Sequence, residues 1–120
     1  MRGHIDLQGR ALLTIPVCCS PNGAESPIEV WVDTGFTGDL VLPISRINEL
    51  GLRASSVVET AMADGREISL DSFVAWVDWF GELEEVEVIA SSGQNVLLGV
   101  RLLLGRRLVV DYRTLHVELE

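Results

Sequence analysis

Residues 30–38 read Val-Trp-Val-Asp-Thr-Gly-Phe-Thr-Gly, and this stretch decides the fold prediction. The apolar segment from Ile28 to Val32 predicts a strand that ends directly before Asp33. A loop bounded by glycines follows, and the apolar residues Leu40 to Pro43 predict the next strand. Loops at the ends of rigid strands are where proteins often present functional side chains. The pattern therefore makes Asp33 the candidate catalytic carboxylate.

The segments on either side of this loop predict further short strands and two brief helices. Ile44, Ile47 and Leu50 repeat at helical spacing, whereas most other apolar positions alternate as in strands. The sequence therefore predicts one all-β, barrel-like domain over residues 1–120. The predicted elements are strands at Ala11 to Cys19, Ser72 to Phe80, Val96 to Gly99, Leu108 to Asp111 and Leu115 to Leu119, helices at Ile44 to Leu50 and Val100 to Leu104, a hairpin of Val57 to Met62 with Ile68 to Leu70, and a solvated acidic hairpin at Glu82 to Glu87.

Charge and hydropathy narrow the classes of partner. The chain has 120 residues, a formal net charge of -9 at pH 7 and 48% apolar residues. The negative charge would repel a phosphate backbone, so we expect no nucleic-acid partner. Residues 1–8 lack the apolar core of a secretory signal, and no apolar run approaches the roughly 20 residues that span a bilayer. We therefore expect a cytoplasmic protein without a membrane partner, and the high apolar fraction predicts self-association.

Cysteine and histidine give no sign of a metal or cofactor site. Cys18 and Cys19 are the two cysteines, and adjacent cysteines reach disulfide geometry only with strain. We interpret them as thiols in a strand, although a redox or metal role stays open. His4 and His116 lie near opposite ends of the sequence, without a second ligand at zinc-binding spacing. We therefore expect neither a metal nor a cofactor.

A single aspartate performs paired-carboxylate chemistry only when a second copy supplies its partner. Two carboxyl groups about 3 Å apart cannot both ionise, so one acts as base and the other as acid toward a bound water. The chain holds one Asp-Thr-Gly triplet and no Asp-Ser-Gly. A homodimer with a two-fold axis between two Asp33 residues would complete the pair. In it, the Thr34 hydroxyl would brace the two loops, and Gly35 would let the substrate backbone approach closely.

Three segments together resemble the retropepsin-like (clan AA) aspartic peptidases, in particular their small prokaryotic branch, over most of the chain. Residues 32–43 resemble the catalytic loop and following strand, and residues 63–65 resemble the flap, the hairpin that covers bound substrate. Residues 96–103 resemble the late glycine-containing segment with its short helix. The resemblance implies an acid-protease barrel with one or two short helices, active as a homodimer on peptides. In retroviral members the chain termini interleave across the dimer, and whether residues 1–7 and 116–120 do so here is open.

The resemblance also implies a role for each matched residue. An extended peptide would bind between the flap and the catalytic loops through strand-like hydrogen bonds. The implied residues are Asp33, Thr34 and Gly35 in catalysis, Met62, Ala63, Asp64 and Gly65 in the flap, Val32, Leu42 and Val96 in pockets, and Leu97, Leu98 and Gly99 beneath the catalytic loop. The pocket residues, like Met62, are equally well explained as core. We interpret Asp64 as turn chemistry because Asp-Gly is a strong hairpin signal.

Two alternatives to an aspartic endopeptidase stay open. The same fold could serve as a catalytically silent, dimeric peptide-binding or interaction module, because a fold does not guarantee activity. A monomeric β-barrel that binds a small ligand is the third interpretation. It leaves the order of the triplet, the hairpin and the late glycine segment unexplained.

Overall fold

Ten strands and two short helices make up the described chain in the computed structural model, which covers the backbone of residues 1–120 and every side chain except those at positions 58 and 60. In chain order the elements are β1 (Arg2–Ile5), β2 (Ala11–Cys18), β3 (Ser26–Val32), β4 (Leu40–Pro43), α1 (Ile44–Leu50), β5 (Arg53–Ala61), β6 (Glu67–Trp79), β7 (Glu82–Ser91), β8 (Leu97–Leu98), α2 (Val100–Leu103), β9 (Leu108–Asp111) and β10 (His116–Leu119). The prediction of an all-β fold with two short helices is confirmed.

Six strands that lie side by side in the described sheet close into a barrel. The sheet order is β5-β6-β7-β4-β8-β3-β2-β1-β10-β9, and a further pairing joins β2 to β6. In that pairing Val17 lies opposite Val77, so the ring runs from β2 through β3, β8, β4 and β7 to β6. Closing the ring leaves its strands without free edges. Strands β5, β1, β10 and β9 lie outside it.

Alternation along the barrel strands places one face of each strand in a common core. In β2, Leu13, Ile15 and Val17 are at most 1% exposed, and Thr14 between them faces solvent. Burying an aliphatic side chain of this size contributes about 1.5–3 kcal/mol. Other side chains at most 1% exposed in this core are Ile28, Val30, Leu40, Leu42, Ile47, Ala75, Val77, Val88, Leu98, Val117 and Leu119.

Helix α1 ends where the sequence predicts. Gly51 follows it with a φ of 69°, and its N–H donates to the Asn48 carbonyl oxygen at 3.2 Å. A left-handed backbone conformation at this position favours glycine, which adopts it without steric cost and closes the last turn of the helix. The described helices are too short to span a bilayer.

Strand β8 lies between β3 and β4, although those two strands are consecutive in the sequence. Leu97 pairs with Trp31 of β3 in parallel and with Val41 of β4 in antiparallel orientation. Residues 33–39 therefore have to cross the end of β8 to connect β3 with β4. The loop that carries the triplet is thus positioned by a segment about 60 residues later in the sequence.

The first strand joins the two ends of the sequence within one chain. Sequence patterns assign no strand before Ala11, yet Arg2–Ile5 forms β1 between β2 and β10. Arg2 lies opposite Glu118, and His4 lies opposite both His116 and Leu12. Four residues of mixed polarity carry little local strand signal, so the pairing comes from neighbours distant in sequence.

The acidic run from Glu82 to Glu87 belongs to a largely exposed hairpin, as predicted, but it forms one strand of that hairpin and not its turn. The turn is Phe80-Gly81, whose φ angles are 56° and 88°, and the run itself belongs to β7. Two residues with positive φ form the kind of turn that matches the twist of paired strands. Within the run, Val86 is 3% exposed, so one apolar side chain anchors the acidic strand to the core.

The two adjacent cysteines differ in environment, which predicts different reactivity. Cys18 is 4% exposed in β2, and Cys19 is exposed. Burial, reinforced by Glu25, raises the pKa of the Cys18 thiol. Because the thiolate is the nucleophile, we expect iodoacetamide at neutral pH to label Cys19 at least about tenfold faster than Cys18 in the folded protein.

Mass spectrometry of the labelled protein, with and without urea, measures these rates. Replacing Cys19 by serine should remove the fast phase and leave a thiol that reacts only after unfolding. Fast labelling of folded Cys19→Ser protein would contradict the prediction.

Candidate functional site

Asp33 begins a tight turn at the end of β3. Its N–H donates to the Leu98 carbonyl oxygen at 2.9 Å, and its carbonyl oxygen accepts from the Phe36 N–H at 3.2 Å. Its Oδ1 accepts from the Gly35 N–H at 2.8 Å. The side chain is half-buried, and Thr34 and Gly35 are exposed. The backbone thus orients the carboxylate through one oxygen and presents the tip of the turn at the surface.

The start of α2 supports the loop from beneath through three backbone hydrogen bonds. The Gly99 N–H donates to the Asp39 carbonyl oxygen at 2.8 Å, and the Val100 N–H donates to the Phe36 carbonyl oxygen at 2.8 Å. The Arg101 N–H donates to the Gly38 carbonyl oxygen at 3.2 Å. Each bond satisfies a helix N–H that has no partner inside the helix, and it also ties down a loop carbonyl group. Of the predicted supporting residues, Leu98 and Gly99 bond to the backbone of Asp33 and Asp39, whereas Leu97 pairs with Trp31 and Val41.

Gly99 is the position where the loop and its support come closest. A Cβ atom at residue 99 would lie 2.7 Å from the Phe36 carbonyl oxygen, 2.6 Å from the Phe36 ring and closer still to the Gly38 carbonyl oxygen. A Cβ atom at Gly38 would in turn lie 2.5 Å from the Phe36 ring. Both glycines are required by close packing around Phe36, since neither has a positive φ.

Asp39 is a buried carboxylate in this loop that sequence reasoning missed. It is 7% exposed, and its Oδ2 accepts from the Glu87 N–H in β7 at 2.9 Å. Its Oδ1 lies 3.8 Å from Nε of Arg101, whose side chain is 62% exposed. A carboxylate directly before the apolar strand at Leu40 was the available sequence signal. Its partner lies 48 residues away, so the contact itself was not predictable.

Substitutions at Asp39 and Arg101 measure separately how much the hydrogen bond and the ion pair contribute to stability. We expect Asp39→Ala to lower the free energy of unfolding by about 2–3 kcal/mol, because the Glu87 N–H loses its partner. Asp39→Asn should cost about 1 kcal/mol, since an amide oxygen can still accept that bond. Arg101→Ala should cost less than about 1 kcal/mol, because the pair is solvent-screened. Urea unfolding followed by tryptophan fluorescence measures all three, and equal losses for Asp39→Ala and Arg101→Ala would contradict this ranking.

The predicted hairpin around Asp64-Gly65 is confirmed as a structural element. Strands β5 and β6 flank it, and the Met62 N–H donates to the Arg66 carbonyl oxygen at 2.6 Å. Asp64 accepts the Arg66 N–H at 3.0 Å, and Gly65 has a φ of 88°. The tip, which also includes Ala63, is exposed. Asp64 therefore serves the turn, as the sequence predicted.

The candidate pocket residues differ in how much surface they offer. Val32 is 8% exposed and Leu42 is fully buried, and both belong to the core. Leu42 therefore has no surface to offer a ligand in this structure. Val96 is half-buried and lines a cavity of about 110 Å³ with Trp31 among others, and Met62 is 42% exposed at the hairpin.

Asp33 lies outside the larger cavities: one of about 310 Å³ is lined in part by Cys19 and Trp76, and two lie beside Asp39 and Arg101. One of about 300 Å³ is lined in part by Phe73 and Glu87, and another of about 270 Å³ shares Asp39 and Arg101 with it. Asp33 lines neither of them. The Asp33 carboxylate therefore lies at an exposed turn, outside these cavities.

Comparison with solved structures places the chain in the retropepsin-like protease fold. The structure of EIAV protease complexed with the inhibitor HBY-793 matches with a TM-score of 0.63 and 21% sequence identity, covering 87% of this chain and 96% of that one. The solution structure of simian foamy virus (mac) protease matches with a TM-score of 0.48 and 19% identity, covering 74% of this chain and 89% of that one. Neither a protein-family model nor a curated protein matches the chain. The predicted retropepsin-like barrel is confirmed as the fold.

Proposed function

We propose that this protein is an aspartic endopeptidase that acts as a homodimer, with Asp33 from each subunit as the catalytic pair. The observation that carries the proposal is the Asp33 turn. Its carboxylate is half-buried and held by the Gly35 N–H, on a loop braced by α2, in a fold shared with EIAV protease. A loop braced by backbone bonds holds a catalytic group with little reorganisation.

The proposed chemistry follows from placing two such turns about a two-fold axis. Two Asp33 carboxyl groups close together share one proton, and aspartic proteases are the standard case of such a pair. The ionised carboxylate takes a proton from a water held between the two groups. The protonated partner donates to the carbonyl oxygen of the peptide under attack. The resulting tetrahedral diol then collapses: the carboxyl that took the water proton donates it to the leaving nitrogen, the C–N bond breaks, and a diol hydroxyl returns its proton to the other carboxylate. Hydrolysis therefore needs neither a covalent intermediate nor a cofactor.

The proposed substrate is an extended peptide lying between the Asp33 loops and the β5–β6 hairpin. A strand-like peptide gains backbone hydrogen bonds along its length, and side-chain pockets give specificity. The exposed hairpin tip at residues 62–65 is our candidate flap, with Met62 as an apolar side chain able to contact substrate. The candidate pocket residues are Val32, directly before Asp33, and Val96, whose carbonyl oxygen accepts the Trp31 N–H at 2.8 Å.

The exposed area of a single chain supports association with a second copy. The chain exposes 7262 Å², compared with roughly 6,400 Å² for a typical monomer of 13.2 kDa. The excess of about 850 Å² is similar to the roughly 800 Å² that each partner buries in an interface of standard size. The extended β5–β6 hairpin accounts for part of this excess, and covering substrate would bury that part also.

A cytoplasmic location stays a prediction.

Cleavage of a diverse peptide library across pH 4 to 7 tests the proposal. We expect the native dimer to cleave internal peptide bonds, with most activity on the acidic side of this range. Asp33→Asn protein prepared in parallel excludes a contaminating peptidase. If both proteins dimerise and neither cleaves any peptide, the proposal fails and a silent peptide-binding module becomes the better explanation.

A further inference from the structure

Strand β9 forms an edge of the described sheet that bears few of the features that usually protect an edge. It pairs with β10 on one side, and the sheet order places nothing on its other side. Leu108, Val109 and Val110 are consecutive apolar residues, all half-buried. Exposed edges are usually guarded by charges, prolines or bulges within the strand. Here the charges, Arg107 and Asp111, lie only at the two ends of the apolar run.

The hydrogen bonds to β10 show which backbone groups of β9 face outward. Arg107 and Glu120 exchange both of their backbone hydrogen bonds, at 2.8 and 3.1 Å. In an antiparallel pair such residues alternate, so Val109 and Asp111 also face β10. The N–H and C=O groups of Leu108 and Val110 therefore point to the free edge, where they can bind another strand.

We propose that the second copy of this chain docks here, with its β9 pairing antiparallel to this β9 about a two-fold axis at Val109. Leu108 of each copy then exchanges backbone hydrogen bonds with Val110 of the other, which uses every outward-facing group of the strand. The two Val109 residues lie opposite each other on the axis. The result is a continuous four-stranded sheet in the order β10-β9-β9-β10.

Charge favours this register over a shift of the axis to Val110. With the axis at Val109, Arg107 of each copy lies opposite Asp111 of the other. Nη1 of Arg107 already donates to Glu120 Oε1 of its own chain at 2.8 Å, so the other N–H groups of the guanidinium would form the two symmetric ion pairs. Shifting the axis to Val110 would place Arg107 opposite Arg113 of the other copy, and like charges directly opposite destabilise a sheet. Asp111 has an acceptor to spare, because the N–H groups of Arg113 and Thr114 both bind its Oδ1.

Large apolar side chains flank the same edge. Leu104 before β9 is 71% exposed, and Tyr112 after it is 66% exposed. The β9 edge therefore has apolar residues in its centre, complementary charges at its ends and apolar side chains beyond them. Such an edge is stabilised more by pairing with a second copy than by exposure to water. The interface also differs from interleaved termini, because β1 and β10 already pair within one chain.

This inference rests on the proposed function, since a peptidase with one Asp33 per chain is incomplete without a second copy. The same two-fold axis has to relate both the β9 strands and the two Asp33 turns. The β9 interface can nevertheless be tested without any measurement of cleavage.

Disulfide crosslinking of Val109→Cys tests the interface in an Asp33→Asn, Cys19→Ser protein, which cannot digest itself and lacks the exposed native thiol. Residues opposite each other in a pair that does not exchange hydrogen bonds lie about 4.5 Å apart between Cα atoms, within disulfide range. We expect mild oxidation to convert most of the protein to a species of twice the 13.2 kDa monomer mass.

Two matched cysteine variants define the register. Val110→Cys places its two thiols diagonally, with Cα atoms about 7–8 Å apart, and Glu118→Cys places them about 14 Å apart on the exposed face of β10. Both should crosslink at least about tenfold more slowly than Val109→Cys. Equal crosslinking of all three variants, faster crosslinking of Val110→Cys, or a protein that stays monomeric would overturn the proposal.

Failure of the interface and failure of the proposed function give different results. If the native protein cleaves peptides as a dimer but Val109→Cys does not crosslink selectively, the peptidase proposal stands and the β9 interface is wrong. If Val109→Cys crosslinks selectively but the native protein cleaves nothing, the interface stands and the peptidase proposal is wrong.

Discussion

Replacing Asp33 by asparagine is expected to lower peptide cleavage by about 1,000-fold or more while leaving the protein folded and dimeric. Loss of a general acid-base group typically costs 10²–10⁴-fold in rate, and here both members of the pair change together. Asparagine keeps an oxygen that can accept the Gly35 N–H, which Asp33 Oδ1 accepts at 2.8 Å. The turn should therefore keep its shape, and the loss should be in kcat.

Mixing native and Asp33→Asn subunits measures whether both aspartates are needed. If each active site requires one Asp33 from each copy, an equal mixture after subunit exchange contains about one quarter native homodimers. Total activity should fall to about one quarter of that of the same total amount of native protein. Activity of about three quarters would show that a single Asp33 per dimer suffices, and about one half would show that each Asp33 acts independently. Either result would contradict the paired mechanism.

The second large effect is expected at Gly99, which does not touch substrate in the proposed site. Gly99→Ala should lower the free energy of unfolding by about 3 kcal/mol and kcat/KM by about 100-fold. The added Cβ atom would meet the Phe36 ring at 2.6 Å and two backbone carbonyl oxygens of the loop. Overpacking costs about 1–3 kcal/mol even where side chains can move, and backbone atoms yield less readily. A shift of about 1 Å in a catalytic group can cost about 100-fold in rate.

Gly93→Ala is the matched control for this change. A Cβ atom there would lie 3.4 Å from the Ser91 hydroxyl oxygen, which is ordinary contact, and Gly93 does not have a positive φ. We expect a change in the free energy of unfolding within about 0.5 kcal/mol and unchanged activity. Urea unfolding and steady-state kinetics measure both variants. Near-equal behaviour of Gly99→Ala and Gly93→Ala would show that the loop does not depend on this contact.

The sequence by itself determined the elements whose signals are local. Apolar alternation predicted the barrel strands, and helical spacing ended by Gly51 predicted α1. Asp64-Gly65 predicted the hairpin turn, because a positive φ at Gly65 and the Asp64 side-chain bond are properties of adjacent residues. The strand that ends at Asp33, with glycines after it, predicted the exposed turn of the candidate site in the same way.

Only the tertiary structure decided the contacts that join distant segments. Asp39 receives its partner from Glu87, β1 pairs with β10, and the acidic run pairs with β6 as part of β7, with Val86 in the core. Gly99 does not have a positive φ, so no local backbone requirement predicts a glycine there. A glycine is required because the loop containing Phe36 crosses the end of β8 and leaves no space for a Cβ atom. Such contacts depend on which segments the closed barrel brings together. Neighbouring residues alone do not encode them, since each pairing is selected by the packing of the whole sheet.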